Sequence, residues 1–418
     1  MTETTILYLL LAIVAGDFLL ERILGYLNDR SSKAPIPQEL EGVYEEEQYQ
    51  KSQEYQRVTG RFGNFTATFS FVLTIAALYF GWFGWLDGII RSISPFDLLT
   101  TLIFFGIIFI GSDIISIPFS IYSTFVIEQK FGFNKTTVKT YLLDKIKGYV
   151  LTIIVGGLLL AALLVLIAMM GKGFWIYFWV IITAFILVLN VFYTTWILPL
   201  FNKLKPIQDG ELKSAIEAFS QKVGFPLSNI FIMDGSKRSS KGNAFFSGLG
   251  KRKKVVLFDT LIEKHSTEEL TAIFAHEVGH FKKKHIVLST VLSILQIGIT
   301  LFLLSRMIFE SEVSYAMGGE VSTLHLNMLA FAILFSPLSH LLGIFMNMLS
   351  RKNEYEADEY AVKHYGDGPL IEGLKKMSSD HLSNLTPHPA YVFVHASHPP
   401  LLERVLAMKS VAEKQKGS

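Results

Sequence analysis

Seven apolar runs, most of them about as long as a lipid bilayer is thick, constrain this 418-residue chain more than any other feature. They cover residues 6–20, 65–86, 98–119, 149–170, 174–196, 286–304 and 326–349. Buried helices of a large soluble protein are a poor alternative, because half of the chain is hydrophobic and only 18% is charged. The sequence therefore predicts an all-α polytopic membrane protein with seven transmembrane helices.

The first run is the weakest of the seven, because Asp17, Glu21 and Arg22 interrupt or border it. A cleaved signal peptide is the competing interpretation of this segment. The chain begins with MTETT, which carries no positive side chain, and no small-residue cleavage site follows the run. We therefore predict that the first run spans the membrane.

Lysine and arginine lie mainly on one side of the predicted spans. The connections after the first, third, fifth and seventh spans contain most of them, including the clusters 251-KRKK-254 and 282-KKK-284. The alternate connections contain Arg91, Lys172 and Arg306. The positive-inside rule then predicts an outside or lumenal N-terminus and a cytoplasmic C-terminus. The membrane itself stays open: the cell membrane in a bacterium, or the endoplasmic reticulum in a eukaryote.

This orientation divides the chain into four parts. They are an N-terminal membrane region of five helices (1–198), the first half of a cytoplasmic catalytic domain (199–284), a transmembrane hairpin (285–349), and the second half with a C-terminal tail (350–418). In the first half, the β-branched and apolar run VVLFDTLI (255–262) predicts a strand. Ser266 and Glu269 predict a capping box that opens a helix through Phe281. The cytoplasmic domain is therefore expected to be α+β and split by the hairpin.

Any metal on this chain must be held by His, Asp and Glu, because the chain has no cysteine. The same absence excludes disulfides, thiolate zinc sites and cysteine nucleophiles. The net charge of +2 is a small difference between 38 basic and 36 acidic residues, so nothing indicates a nucleic-acid partner. Nothing in the sequence implies an oligomer either.

The segment HEVGH (276–280) has the spacing of a metal site. His276 and His280 lie one helical turn apart on one face, where two imidazoles can reach one ion. Glu277 follows the first histidine and can act as a general base beside the attacking water. A pattern this short also arises by chance, so a third ligand is needed to support it.

The segment EYEAD (354–358) supplies candidates for that ligand. Glu354 and Asp358 lie about 40° apart around a helix, whereas Glu354 and Glu356 lie about 200° apart. Glu354 can therefore bind zinc while Asp358 accepts the second N–H of a ligating histidine. The alternative is a salt-bridged acidic helix beside Arg351 and Lys352. Together the two motifs predict one Zn²⁺ ion and a zinc hydrolase.

Several further pieces, in this order, resemble the type I CaaX prenyl proteases, which are membrane-embedded zinc metalloproteases. They are EQKFGFNKTT (128–137), PLFNKLKP (199–206), GSKRSSKGNAFFSG (235–248), VVLFDTLI, HEVGH, NEYEADEYA (353–361) and HASHPPLLER (395–404). The chain is similar, less closely, to bacterial membrane quality-control proteases of the same clan. The resemblance implies a zincin-like fold for the split cytoplasmic domain.

The resemblance also implies roles for single residues. It makes His276, His280 and Glu354 the zinc ligands and Glu277 the base, and it places His398 and Arg404 beside the active site. An imidazole there could stabilise a tetrahedral oxyanion. Without the family, His398 is a loop histidine before a diproline.

Asn243, Ala244 and Phe245 resemble an edge-strand motif that holds substrate backbone, although an ordinary hairpin edge is the simpler interpretation. The other histidines have no assigned role, and His285, just after the site helix, is the first candidate among them.

We therefore expect a zinc endopeptidase that acts near the membrane surface on a membrane-anchored or prenylated peptide or protein. The resemblance implies removal of the three terminal residues of prenylated CaaX proteins. Clearance of damaged membrane proteins, without prenyl specificity, is the alternative. A transporter with an inactive zincin domain is a rival from another class, and a purely structural zinc site would need a fourth protein ligand.

Overall fold

The computed structural model describes residues 1–247 and 253–417, and within them the chain is mostly helical with one small sheet. Lys251 and Arg252 of the basic cluster, together with Gly248 and Ser418, lie outside the described residues. The prediction of a helical membrane protein with a small α+β part therefore agrees with the architecture.

Eight helices occupy the described N-terminal part. They are α1 (Glu3–Ser31), α2 (Glu46–Tyr79), α3 (Trp82–Ile93), α4 (Asp97–Tyr122), α5 (Val138–Leu151), α6 (Gly157–Met170), α7 (Phe174–Phe192) and α8 (Leu198–Phe201). Wider π-helical turns continue three of them, at Ser123–Glu128, Thr152–Gly156 and Tyr193–Ile197. Asp113 of α4 accepts hydrogen bonds from Lys145 and Tyr149, so this intramembrane carboxylate serves an interhelical contact.

Ten further helices and four strands form the rest of the described chain. The helices are α9 (Glu211–Lys222), α10 (Asp259–Ile262), α11 (Thr267–Lys282), α12 (His285–Met307), α13 (Ser311–Ala316), α14 (Leu324–Leu334), α15 (Ser336–His364), α16 (Gly368–Asp380), α17 (Pro389–His395) and α18 (Leu401–Lys416). The strands are β1 (Leu204–Pro206), β2 (Leu227–Met233), β3 (Ala244–Ser247) and β4 (Lys253–Phe258). They form one sheet in the order β1-β2-β4-β3, in which β2 and β4 are parallel and the outer pairs antiparallel.

Among the described residues, four helical stretches are long and apolar enough to cross a membrane. They are Glu46–Tyr79, Asp97–Glu128, Val138–Phe201 and His285–Met307, and α14 with α15, bent by 50°, makes a fifth if the pair counts as one span. The predicted number of seven is therefore not confirmed, and α1, with its charged residues, does not meet this criterion.

The stretch Val138–Phe201 cannot be one straight span. Its 64 residues would extend about 96 Å as a helix, about three times the thickness of the hydrocarbon core. Gly171 has a φ of +51° and ends α6, and a short 3₁₀ turn then leads into α7. Leu163 and Ile167 of α6 belong to one core cluster with Phe174 and Phe178 of α7. The stretch therefore folds back on itself at this glycine.

The strand predicted for VVLFDTLI is correct only in its first half. β4 ends at Phe258, and the DTLI segment forms the short helix α10. Asp259 Oδ1 accepts hydrogen bonds from the backbone N–H groups of Thr260 and Ser236. A carboxylate in this position satisfies the free N–H groups of a helix start, which explains why the chain leaves the sheet there.

The hydrophobic core around α11 also uses residues from the N-terminal part. Leu40, Tyr44 and Tyr55 from the beginning of the chain, and Ile127 and Phe131 after α4, pack in one cluster with α11. The four-part division of the chain stays a prediction, but residues of its first part belong to the same hydrophobic core as α11.

Candidate metal centre

The helix α11 carries HEVGH through the middle of this core. The predicted capping box is confirmed: Ser266 Oγ accepts from Glu269 N–H, and the Glu269 carboxylate accepts from Ser266 N–H, both at 3.2 Å. Almost every residue from Glu269 to Gly279 is buried. A helix that is buried all round has little freedom to rotate, so the directions of His276 and His280 are fixed by packing.

The helices α11 and α15 approach each other closely at Gly279. A Cβ atom on this glycine would lie 2.9 Å from Ala357 Cα and 3.0 Å from its carbonyl oxygen. Only glycine therefore permits this distance between the two backbones. The approach places the EYEAD segment of α15 directly against the two histidines of α11.

His276, His280 and Glu354 form a cluster that could hold one ion. One ligand atom from each lies within 4.8 Å of the other two. The two Nε2 atoms are 3.1 Å apart, and the Glu354 oxygens lie 3.5 Å from His276 Nε2 and 3.3 Å from His280 Nε2. Ligands of a tetrahedral zinc ion, at about 2.1 Å, are about 3.4 Å from one another, so this donor set fits zinc. The buried Glu354 Oε2 makes no hydrogen bond to the described residues, so a bound cation would supply a partner for this buried oxygen.

Behind His276 lies a buried ion pair, which we call the closed side of the site (His276, Asp358 and Arg404). Asp358 Oδ1 is 2.8 Å from His276 Nδ1. Arg404 donates from Nε to Asp358 Oδ2 at 2.8 Å and from Nη2 to Oδ1 at 2.6 Å. Its Nη1 is 3.3 Å from Glu354 Oε2. Arg404 thus holds the carboxylate that orients His276 as well as contacting the third candidate ligand.

Two further polar side chains at the cluster keep some exposure to solvent, and we call them the open side (Glu277 and His398). His398 Nε2 is 3.4 Å from Glu354 Oε1, while 65% of the His398 side chain is exposed. The loop that carries it is fastened to α15, because Arg351 donates to the carbonyl oxygens of Val392 and Ala396. Arg351 therefore holds this loop, whereas the alternative interpretation expected it to form salt bridges with the acidic residues of its own helix.

Glu277 has an unusual electrostatic environment for a carboxyl group. Its side chain keeps some exposure, yet desolvation by the surrounding protein raises its pKa above the usual range. The positive charge of protonated His276 and His280 would act in the opposite direction. A carboxylate with a raised pKa is a stronger base than a free one, as proton abstraction requires.

Asn243, Ala244 and Phe245 lie at an edge of the sheet, as the edge-strand motif predicts. Ala244 and Phe245 pair with Leu257 and Val256 of β4, and Asn243 O accepts from Phe258 N–H at 3.0 Å. The other side of β3 has no strand partner among the described residues. A backbone edge is therefore available for pairing with an extended peptide.

Sequence reasoning missed a second set of contacts behind His280. His285 Nδ1 lies 3.0 Å from His280 Nδ1, and His285 Nε2 lies 3.2 Å from Glu356 Oε2. The sequence placed His285 next to the site helix without a role, and it used Glu356 only as the carboxylate that points away from the metal.

Two family models match nearly the whole chain. Residues 26–203 match one described as CAAX prenyl protease N-terminal, five membrane helices, and residues 206–412 match peptidase family M48. A CAAX prenyl protease 1 homolog from Oryza sativa subsp. japonica is 35% identical, and the match covers 95% of this chain and 96% of the relative. CAAX prenyl protease 1 of Saccharomyces cerevisiae is 34% identical, with 96% and 94% covered.

The chain belongs to the type I CaaX prenyl protease family. A solved structure of the same family, the crystal structure of S. mikatae Ste24p, is 32% identical, superposes with a TM-score of 0.91, and the match covers 96% of this chain and 99% of that one. The protein described here is therefore a multi-pass membrane metalloendopeptidase. Peptidase family M48 implies a metal, generally zinc, and the cluster on α11 and α15 fits one.

Proposed function

We propose that this protease binds one zinc ion through His276, His280 and Glu354 and cleaves prenylated proteins that carry a C-terminal CaaX sequence, removing the last three residues. One observation supports the proposal most: the His-His-Glu cluster lies in a chain that is 31–36% identical, over 87–96% of its length, to proteins named CAAX prenyl protease 1.

The chain's own residues supply the proton transfer and the charge stabilisation. A zinc ion in this cluster would supply Lewis acidity, which makes water a better nucleophile and polarises the scissile carbonyl. Glu277 accepts the proton of the attacking water at its carboxylate and can pass it to the leaving amine. His398 Nε2, exposed beside Glu354, donates a hydrogen bond to the oxygen that becomes negative. Asp358 and Arg404 position His276.

The substrate binds as an additional strand beside β3. Asn243, Ala244 and Phe245 offer backbone N–H and C=O groups, which hold an extended peptide without selecting its side chains. This mode suits a protease whose selectivity depends mainly on where the substrate is anchored.

The metal centre lies at the membrane surface on the cytoplasmic side. Only Lys283 and Lys284 separate α11 from α12, a candidate span that starts at His285. The seven apolar runs support seven spans, and the distribution of Lys and Arg supports an outside or lumenal N-terminus. A tag at Met1 or in the 310–320 loop should then be accessible from outside, and a tag at Ser418 only from the cytoplasm. Both termini on one side would remove one span, α1 being the first to question.

Peptide cleavage tests the substrate class. We expect the purified protein to cut a farnesylated CaaX peptide much faster than the same peptide without the prenyl group, and to lose activity with a zinc chelator. The control is an unprenylated peptide tethered to the membrane by an apolar helix. Equal cleavage of the tethered and the farnesylated peptide would favour clearance of membrane proteins over CaaX processing. Activity that is unaffected by the chelator would contradict the zinc proposal.

A further inference from the structure

The unassigned contacts behind His280 concern its ring nitrogen that faces away from the cluster. His280 Nε2 faces Glu354 and His276, so Nε2 is the atom that would bind the metal. A ligating imidazole is neutral, and its proton is then on Nδ1. That N–H needs an acceptor that also fixes the ring, and the described atom next to it is His285 Nδ1, at 3.0 Å.

The proton positions along this chain of side chains are mutually consistent. If His280 Nδ1–H donates to His285 Nδ1, the proton of neutral His285 must be on its Nε2. His285 Nε2 then donates to Glu356 Oε2, which lies 3.2 Å away and is a carboxylate acceptor. Lys352 Nζ lies 3.7 Å from the other oxygen of Glu356 and balances its charge. Both ring N–H groups therefore meet an acceptor: His280 Nδ1–H meets His285 Nδ1, and His285 Nε2–H meets the Glu356 carboxylate.

The backbone supports this arrangement at Lys284. On a continuous helix, residues 280 and 285 would lie about 140° apart and could not face each other. Lys284 has a φ of +60°, a left-handed conformation that non-glycine residues adopt at a cost in energy. It ends the turn after α11 and starts α12 in a new direction, which brings the buried His285 ring back to His280. The strained residue and the histidine it places are adjacent in sequence.

From these contacts we infer that His285 is a positioning residue for the metal centre, which orients His280 and fixes its tautomer, with Glu356 holding His285 in turn. This inference rests on the proposed zinc site. His276 then receives its carboxylate directly, from Asp358, whereas His280 receives one through an intervening imidazole. His285 touches neither metal nor substrate and acts through His280.

Zinc affinity of the purified full-length protein, measured by competition with a chromophoric chelator, tests the inference. We expect His285→Ala to weaken zinc binding by about 10- to 100-fold, as for other losses behind a metal ligand. In His285→Asn, the amide oxygen stands at the position of Nδ1 and still accepts from His280, so affinity should return to within about threefold of the parent. Glu356→Ala, at a partly exposed position, should cost less than about tenfold. His364→Ala, on α15 but bonded to the Tyr360 carbonyl, is the matched control and should bind zinc normally.

The spectrum of the cobalt-substituted protein gives a second measurement. His285→Ala should change the d–d absorption bands of bound Co²⁺, because the His280 ring is no longer held in one orientation, and His285→Asn should restore them. Parental zinc affinity in His285→Ala would overturn the inference, as would equal losses in the Ala and Asn variants, which would indicate a packing role only. The proposed site is tested separately by His276→Ala: if that variant keeps its zinc, the site itself is wrong, and the inference falls with it.

Discussion

The closed and open sides of the metal centre differ in how tightly their side chains are held. His276, Asp358 and Arg404 on the closed side are all at most 8% exposed, and short charged hydrogen bonds connect them. On the open side, His398 is mostly exposed, and the described hydrogen bond of its ring goes to the neighbouring Ser397. The closed side is built to hold a ligand in one position, whereas the open side leaves room for a peptide. Substitutions on the two sides should therefore affect different quantities.

The largest effect is expected at Glu354, which contacts both sides. Glu354→Ala should lose zinc and proteolytic activity together, because the third candidate ligand is missing. Glu356→Ala is the comparison on the same helix: its zinc affinity should fall by less than about tenfold, so the zinc-loaded protein should keep most of the turnover. Zinc content of the two purified variants measures this directly. The opposite order would mean that the assignment of the ligand to Glu354 is wrong.

On the open side, Glu277→Gln should retain zinc but cut slowly. The amide is nearly isosteric with the carboxylate and cannot accept the proton of the attacking water. We expect turnover to fall by at least the roughly 10² to 10⁴ that general-base catalysis contributes. The measurement is single-turnover cleavage by protein whose zinc content has been verified. Near-parental cleavage would contradict the role of Glu277.

The substitution His398→Ala should also leave zinc binding unchanged and reduce kcat more than it changes KM. Loss of one oxyanion donor removes about 3 to 4 kcal/mol of transition-state stabilisation. Steady-state kinetics on the cleaved peptide, with zinc content as the control, distinguish this from a binding defect. Activity within about twofold of the parent would exclude the role, since that is less than about 0.5 kcal/mol.

The smallest of these effects, on the closed side, should appear in zinc affinity rather than in turnover of the loaded enzyme. Asp358→Ala is expected to weaken zinc binding by about 10- to 100-fold. It also leaves the buried Arg404 without its bidentate partner, so thermal stability should fall. Asp358→Asn keeps an acceptor oxygen for His276 and should be milder in both measurements. A loss of turnover without a loss of affinity would remove the distinction between the two sides.

Much of the site is visible in the sequence because it depends on local helix geometry. His276 with His280, and Glu354 with Asp358, are each four residues apart, and the structure places each pair on one helix face. The capping box is equally local. That the two helices meet does not follow from local geometry, because His280 and Glu354 lie 74 positions apart in the sequence; it is expected from the complementary ligands of the two motifs and from the family resemblance.

The features that were missed depend on backbone turns and on distant packing. The position of His285 follows from the left-handed conformation of Lys284, and apolar periodicity gives no sign of such a turn in a lysine-rich segment. The end of β4 at Phe258 depends on Asp259 meeting Ser236. Tyr55 and Phe131 look like parts of membrane connections, yet they pack in the catalytic core. The count of spans is uncertain from the sequence for a different reason: α1 carries charged side chains and does not meet the criterion of length and hydropathy.

The close packing of α11 against α15 has a consequence for the way the protein is made. The ribosome delivers His276 and His280 first, and α12, α13 and α14 follow before Glu354 appears. A nascent chain that ends at Met307 has two imidazoles and no carboxylate ligand, and Arg404 is made later still. Because metal binding depends on a folded set of ligands, we expect the newly made protein to remain inactive until its last helices have docked. We therefore expect an incomplete chain to be unable to cut its neighbours while it is being inserted.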